Sequence, residues 1–258
     1  MKVSLKALGW AIRFFWIIAL AFAVTCVYSV TLIQASFGEP NITLTQRELN
    51  IELPITFNNG GYYALTDFNL TSLIVDDQKS QIGRATSFIA KIGPQENMTF
   101  YQNMGFNLTE VLKHTRHLFN DSSLTLNGIG HLVYASMIPF SFEANITIPW
   151  GAPLHNFTIH ELSFSLYNTT HVRLVVPISF QNHSPYFGVL GNIHVEIVND
   201  REQLMGTDAL SLNVQSTTNY VGQIELFINT VHVTTTGEIR ASFETNSFNY
   251  GPLVIPYG

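Results

Sequence analysis

The tightest group of side chains able to ligate a metal or move a proton is His155, His160 and Glu161. Their separations of five and one fit neither one face of a strand nor a zinc motif, so the spacing predicts solvent-facing strand residues. His114 and His117, three apart, share a face of a short helical pattern, and without a third ligand they predict a surface or core-edge role. Asp76-Asp77, and the matching Asn199-Asp200, have the composition of a paired-carboxylate acid–base site. They also lie between strand-like runs, where Asp and Asn cap turns through their own side chains, and turn capping is the favoured reading. No Gly-x-Ser-x-Gly elbow, phosphate loop or His-Glu-x-x-His is present. No catalytic, cofactor-binding or metal-ligating residue is therefore assigned, no cofactor is expected, and the chain is read as a non-enzyme.

The elements that would carry such residues follow from composition. Of 258 residues, 46% are apolar and 12% charged, the latter about half the usual share of a soluble domain. This is ample apolar surface for a core and excludes bulk disorder. Twelve basic against eighteen acidic residues leave no basic surface for nucleic acid. The one cysteine, Cys26, excludes a disulfide scaffold.

Phe14 to Ile33 is an uncharged apolar run of 20 residues, about 30 Å as a helix and enough to cross a hydrocarbon core. Lys2, Lys6 and Arg13 precede it and the next charge is Glu39, which places residues 1–13 in the cytoplasm as a basic tail. Trp10, Trp16 and Tyr28 suit the interfaces. A cleaved signal peptide would have an apolar region of about 7–15 residues and a small-x-small site beyond it. Here Ala19-Leu20-Ala21 and Ala21-Phe22-Ala23 lie inside the run. Residues 14–34 are read as an uncleaved signal-anchor of a single-pass cell-membrane protein with its C-terminal part outside. On either reading residues 35–258 leave the cytoplasm, without a cysteine.

Nine Asn-x-Ser/Thr sequons support export: Asn41, Asn69, Asn97, Asn107, Asn120, Asn145, Asn156, Asn168 and Asn182. They predict a glycoprotein with acceptors on exposed loops. Asn107 also begins a pattern with Leu108, Val111, Leu112, Thr115 and Phe119 at helical spacing, and Glu110 stands where a capping box needs it. Capping and glycosylation compete for that asparagine.

The exported part contains a duplication. Leu53-Pro54-Ile55-Thr56-Phe57-Asn58-Asn59 matches Val176-Pro177-Ile178-Ser179-Phe180-Gln181-Asn182 at an offset of 176 − 53 = 123. Ile74-Val75-Asp76-Asp77 matches Ile197-Val198-Asn199-Asp200 at the same offset. Gly130 with Gly237, and Ile148-Pro149-Trp150-Gly151 with Ile255-Pro256-Tyr257-Gly258, give 107, so the first copy holds 123 − 107 = 16 extra residues between the blocks. Modules at 38–151 and 152–258 result. Leu49, Ile51, Leu53, Ile55 and Phe57 alternate with polar residues, as do Val172, Leu174, Val176, Ile178 and Phe180. Period two marks half-buried antiparallel strands. Pro54 and Pro177 cannot donate to a ladder and predict edge positions. The expected fold is mainly β: a transmembrane helix, then two tandem antiparallel β-sandwiches of immunoglobulin-like shape, the first with a short helix.

A strand ending in Phe-Asn-Asn or Phe-x-Asn, a second strand about ten residues on, and Ile82-Gly83 or Met205-Gly206 before a third resembles the late-embryogenesis-abundant type 2, or water-stress and hypersensitive-response, domain. Asn59-Gly60 and His183-Ser184 stand where that family usually has Asn-Pro. The tandem, anchored, cysteine-free arrangement is most similar to archaeal surface proteins. The resemblance implies antiparallel sandwiches with one helix and no catalytic residues.

These features predict a membrane-anchored surface protein with a structural or binding role toward an envelope protein, a glycan or another copy. A self-assembling subunit joined by β-strand addition is the alternative, and an exported hydrolase stands third. Because no sequon follows Asn182, the bare segment 190–258 is expected to carry the contact face, with the alternating Ile224, Leu226 and Ile228 and the run Thr234, Thr235, Thr236 on it.

Overall fold

The computed structural model describes residues 2–45, 47–112 and 115–258. Helix α1 (Lys2–Val30) comes first, and its part Lys6–Val30 is long and apolar enough to cross a membrane. Large apolar side chains from Leu8 to Tyr28 stand uncovered around it. Its last turns, however, rest on protein. The Phe22 ring meets Tyr63 edge-on at 5.4 Å, and Thr25 Oγ1 lies 2.8 Å from the Tyr63 hydroxyl. Ser29 is fully buried and its Oγ accepts from the Tyr62 N–H at 2.6 Å and from the Tyr134 hydroxyl. Gly61 permits this approach, since a Cβ there would lie 2.4 Å from Ser29 Oγ.

The first module consists of β1 (Ile33–Phe37), β2 (Asn41–Thr45), β3 (Glu48–Asn59), β4 (Leu65–Val75), β5 (Gln81–Ile92), β6 (Glu96–Asn107), β7 (Ser122–Tyr134) and β8 (Ile138–Trp150). The short helices α2 (Leu108–Leu112) and α3 (Thr115–Phe119) lie between β6 and β7. The second module repeats the order as β9 (His155–Ile159), β10 (Ser163–Leu166), β11 (His171–Gln181), β12 (Val189–Asn199), β13 (Leu204–Val214), β14 (Asn219–Asn229), β15 (Gly237–Thr245) and β16 (Asn249–Tyr257). In each module one sheet centres on β3 or β11, and the other runs β5-β4-β7-β8 or β13-β12-β15-β16. All pairings are antiparallel. Strand β1 begins at Ile33, ahead of the boundary expected at residue 38.

Alternation places Leu49, Ile51, Leu53, Ile55 and Phe57, and likewise Leu174, Val176, Ile178 and Phe180, in the cores. The Phe57 ring packs on Phe68 at 4.8 Å and Phe180 on Tyr220 at 5.0 Å. Each such side chain contributes about 1.5–3 kcal/mol by leaving water, which is how the two β modules cohere without a cysteine.

One irregularity recurs at the same place in both copies. A β-bulge interrupts β4–β5 between Ile74 and Val75, and another interrupts β12–β13 between Ile197 and Val198, 123 residues on. Asp76 Oδ1 accepts from the Gln78 and Ser80 N–H groups, as Asn199 Oδ1 does from Arg201 and Gln203. Asp76 and Asn199 are thus turn caps, as their context suggests, while Asp77 pairs with Arg116 at 2.6 Å.

Two expectations are corrected. Pro54 and Pro177 lie in central strands, not at edges. β2 covers β3 as far as Glu52 and β1 resumes at Ile55, so Pro54 sits where the neighbouring strand breaks in two. Pro177 lies in the same gap between β10 and β9. At both breaks the proline carbonyl accepts a bond from the crossing chain, from Gly38 at 2.9 Å and His160 at 3.0 Å. The second correction is the repeat register. Ile74 pairs with Leu126 and Ile197 with Ile239, an offset of 239 − 126 = 113. Leu126 in turn pairs with Ile146 and Ile239 with Ile255, giving 255 − 146 = 109. Gly130 is therefore not the partner of Gly237. Both errors are even-numbered slips, and a slip by an even number keeps inward residues inward, so the pattern alone cannot reveal it. The β6 copies differ by 224 − 102 = 122, because Leu53 pairs with Gln102 and Val176 with Ile224. The link holding α2 and α3 is thus 122 − 113 = 9 residues longer in the first module.

Candidate functional site

The expected contact residues separate into two groups. Ile224, Leu226 and Ile228 are buried and form core, because their places in β14 face the opposite sheet. They are not a contact face. Thr235 and Thr236 are exposed and Thr234 half-buried, on the link between β14 and β15. The outward residues of β14 include Val221 and Phe227, both exposed. Phe227 packs edge-on against Tyr167 at 4.7 Å. Leu166, at the end of β10, and Val231, just past β14, are also exposed. Backbone bonds from Tyr167 to His171 and from Thr230 to Thr170 hold these segments together. Tyr167 and Phe227 thus form an apolar pair at the end of the second module away from the first, with Leu166 and Val231 exposed on the adjoining segments, and these side chains are the apolar cap of that end.

Of the nine sequons, Asn41, Asn69, Asn97, Asn107, Asn120, Asn145, Asn156 and Asn168 are exposed. Asn107 caps α2, its Oδ1 accepting from Thr109 N–H at 2.8 Å, and stays exposed while doing so. Asn182 is different. It is fully buried, its amide donates to the carbonyls of Phe187 and Gln215, and its Oδ1 accepts from Ser184 N–H. A glycan on Nδ2 would replace one of those buried bonds and has no path to solvent, so this sequon is a structural asparagine.

His160 and Glu161 face solvent as expected, in the link between β9 and β10, whereas the other histidines differ. His160 is exposed, with Nε2 2.7 Å from Ser179 Oγ, and Glu161 is exposed. His114 lies outside the described residues. His117 is buried beside Trp150, whose indole N–H donates to the His117 carbonyl at 2.9 Å. His155 joins a group that sequence distance concealed. It stacks on His183 with ring centres 4.0 Å apart, and both face Asp121. Burial pushes the Asp121 carboxyl up, but the Ala152 N–H bond and the neighbouring His183 outweigh it and hold the group below the usual carboxylate range.

This group lies at the joint between the modules. Trp150 packs on Phe187, and Phe119 on Phe157 and Tyr250. His183 N–H donates to the Ala152 carbonyl, and the Tyr186 hydroxyl to that of Pro149, both at 2.9 Å. A Cβ at Gly151 would lie 2.0 Å from the His183 carbonyl oxygen, so only glycine lets the chain pass there. Beside the joint opens a cleft of about 1220 Å³ lined from both modules, including Arg47, Glu48, Asn107, Asn192 and Glu244. It supplies charge and hydrogen bonds, but among the described residues no nucleophile paired with a base.

No protein-family model matches the chain, and no curated protein matches it. Among solved structures, the BSP domain of a biofilm associated protein has a TM-score of 0.36 at 8% identity, over 88% of this chain and 51% of that one. Red sea bream transglutaminase gives 0.35 at 13% identity, over 88% and 31%. The periplasmic chaperone SfaE gives 0.31 at 10%, over 84% and 97%. The chain spans about a third of the transglutaminase's length. Scores this low identify no family and no activity.

Proposed function

We propose that the chain is a single-pass, membrane-anchored glycoprotein whose two sandwich modules stand outside the cytoplasm and serve a non-enzymatic binding or structural role. The observation that carries this reading is the helix end. α1 exposes large apolar side chains from Leu8 to Tyr28, yet its last turns are clamped to the first module through Phe22, Thr25 and Ser29. A span seated on its own ectodomain orients that domain at the membrane instead of tethering it loosely. The joint then continues the stack, and the cap of Leu166, Tyr167, Phe227 and Val231 is the end presented to an envelope protein, a glycan or another copy. The resemblance to late-embryogenesis-abundant type 2 domains of archaeal surface proteins accords with this role.

The test is surface cross-linking on intact cells, comparing the parent with a Leu166→Asp/Phe227→Asp variant. Adducts lost in the variant while its surface level is unchanged support the reading. Adducts that persist unchanged place the contact elsewhere.

Self-assembly by strand addition is the second reading, favoured by one feature: Phe88 stands exposed on the edge strand β5. By contrast Pro139 and Pro149 on β8, and Pro252 and Pro256 on β16, blunt the opposite edges. Large species in mild detergent that vanish on Phe88→Lys favour this alternative.

A further inference from the structure

The cluster at the joint has the makings of a site that no motif announces. Asp121 comes from the link after α3, His155 opens β9, and His183 follows β11. Their ligand atoms all lie within 4.8 Å of one another. His183 Nδ1 is 2.8 Å from Asp121 Oδ2, and His155 Nδ1 is 3.8 Å from Asp121 Oδ1. Tetrahedral zinc, with bonds of about 2.0–2.2 Å, holds its ligand atoms roughly 3.3 Å apart. The two measured separations bracket that value, so small side-chain shifts suffice.

Two observations beyond proximity point to a cation. First, His155 Nδ1 is buried and has no hydrogen-bond partner, although it is aimed at the Asp121 carboxylate. A buried nitrogen without a partner is a desolvation penalty that a bound cation would relieve. Second, the surrounding bonds are those that orient metal ligands. Gln181 Oε1 lies 2.8 Å from His183 Nε2, placed to accept its N–H and fix the ring, while Nδ1 is within hydrogen-bond distance of Asp121 Oδ2. The Ala152 N–H fixes the carboxylate through Oδ1 at 2.9 Å.

We propose that Asp121, His155 and His183 form a binding site for a zinc-class divalent cation that pins the two modules together. Two imidazoles and one carboxylate suit borderline ions such as Zn2+, whereas Ca2+ and Mg2+ take oxygen ligands. The side chains are partly exposed, Asp121 the most at 49%, which gives the ion an entry path and leaves a fourth position for water. The ion would join the link of the first module to β9 and to the segment after β11 of the second, at the point where Gly151 already forces close passage.

The test is isothermal titration of Zn2+ into the full chain in detergent micelles, without a histidine tag, at neutral pH. The expected result is one Zn2+ per chain. His155→Ala, His183→Ala and Asp121→Asn should each weaken binding at least about 100-fold, beyond the roughly 10–100-fold typical of an outer-shell partner. His160→Ala, an exposed histidine of the same module, should match the parent. Should a variant misfold, Co2+ bound to the parent decides: the intense visible bands of tetrahedral coordination support the site. No uptake by the parent, equal binding by the folded variants, weak octahedral Co2+ bands, or Ca2+ competing as well as Zn2+ would each overturn it.

Discussion

Asn59 and Asn182 hold the same position in the two modules, 182 − 59 = 123 residues apart. Both are fully buried, and each Oδ1 accepts from the N–H two residues on, Gly61 or Ser184. Each amide crosses to the loop after the third long strand, Asn59 to the Gly93 carbonyl and Asn182 to that of Gln215. Only one of the pair lies in a sequon. Asn182 is therefore expected to carry no glycan, and peptide mapping of the purified chain should find it unmodified. Asn182→Ala should destabilise the second module by about 1–3 kcal/mol for each buried carbonyl left unpaired, read by urea unfolding.

The buried aromatics give the largest expected losses. Phe57→Ala and Phe180→Ala should each cost about 3–5 kcal/mol. Ile224→Ala, within the supposed contact strand, should cost about 2–5 kcal/mol, as core residues do. Denaturant unfolding of the full chain in micelles reads all three. Losses no greater than those of exposed positions would mean that the strand faces are reversed.

The cap should behave oppositely. Leu166→Asp and Phe227→Asp lie on the exposed end of the second module and should change stability by no more than about 0.5 kcal/mol. They should still abolish cross-links to a partner. Thermal midpoints measured beside the cross-linking separate the two effects.

Much of the fold was legible because alternation has a period of two and the strand faces follow from it directly. Leu49 to Phe57 and their copies needed nothing more. What escaped was information that sequence spacing does not hold. Ile224, Leu226 and Ile228 alternate because they face the core, and an apolar stripe does not say which side it faces. Asn182 satisfies the sequon pattern and the turn-cap pattern together, and only burial decides between them. Pro54 reads as an edge residue until the broken neighbouring strand is seen. The joint cluster escaped because Asp121 and His183 are 183 − 121 = 62 residues apart, and topology alone brings them together. The cap likewise joins β10 to the end of β14, across most of the module.

The seating of the helix makes its own prediction. Gly61→Leu places side-chain atoms where Ser29 lies, so the helix end should leave the loop at 60–64. Hydrogen exchange of the Tyr62 amide, which donates to Ser29 Oγ, should quicken. The core strands β4 and β7 should keep their protection.

The central claim, a helix that spans the bilayer with both modules outside, is tested most directly by protease treatment of intact, sealed cells followed by alkaline extraction of the membranes. The account predicts that epitopes in residues 35–258 are lost to external protease, while a fragment containing residues 2–30 stays in the alkali-washed pellet. An intact chain after protease treatment, or untreated chain released by alkali into the supernatant, would contradict it.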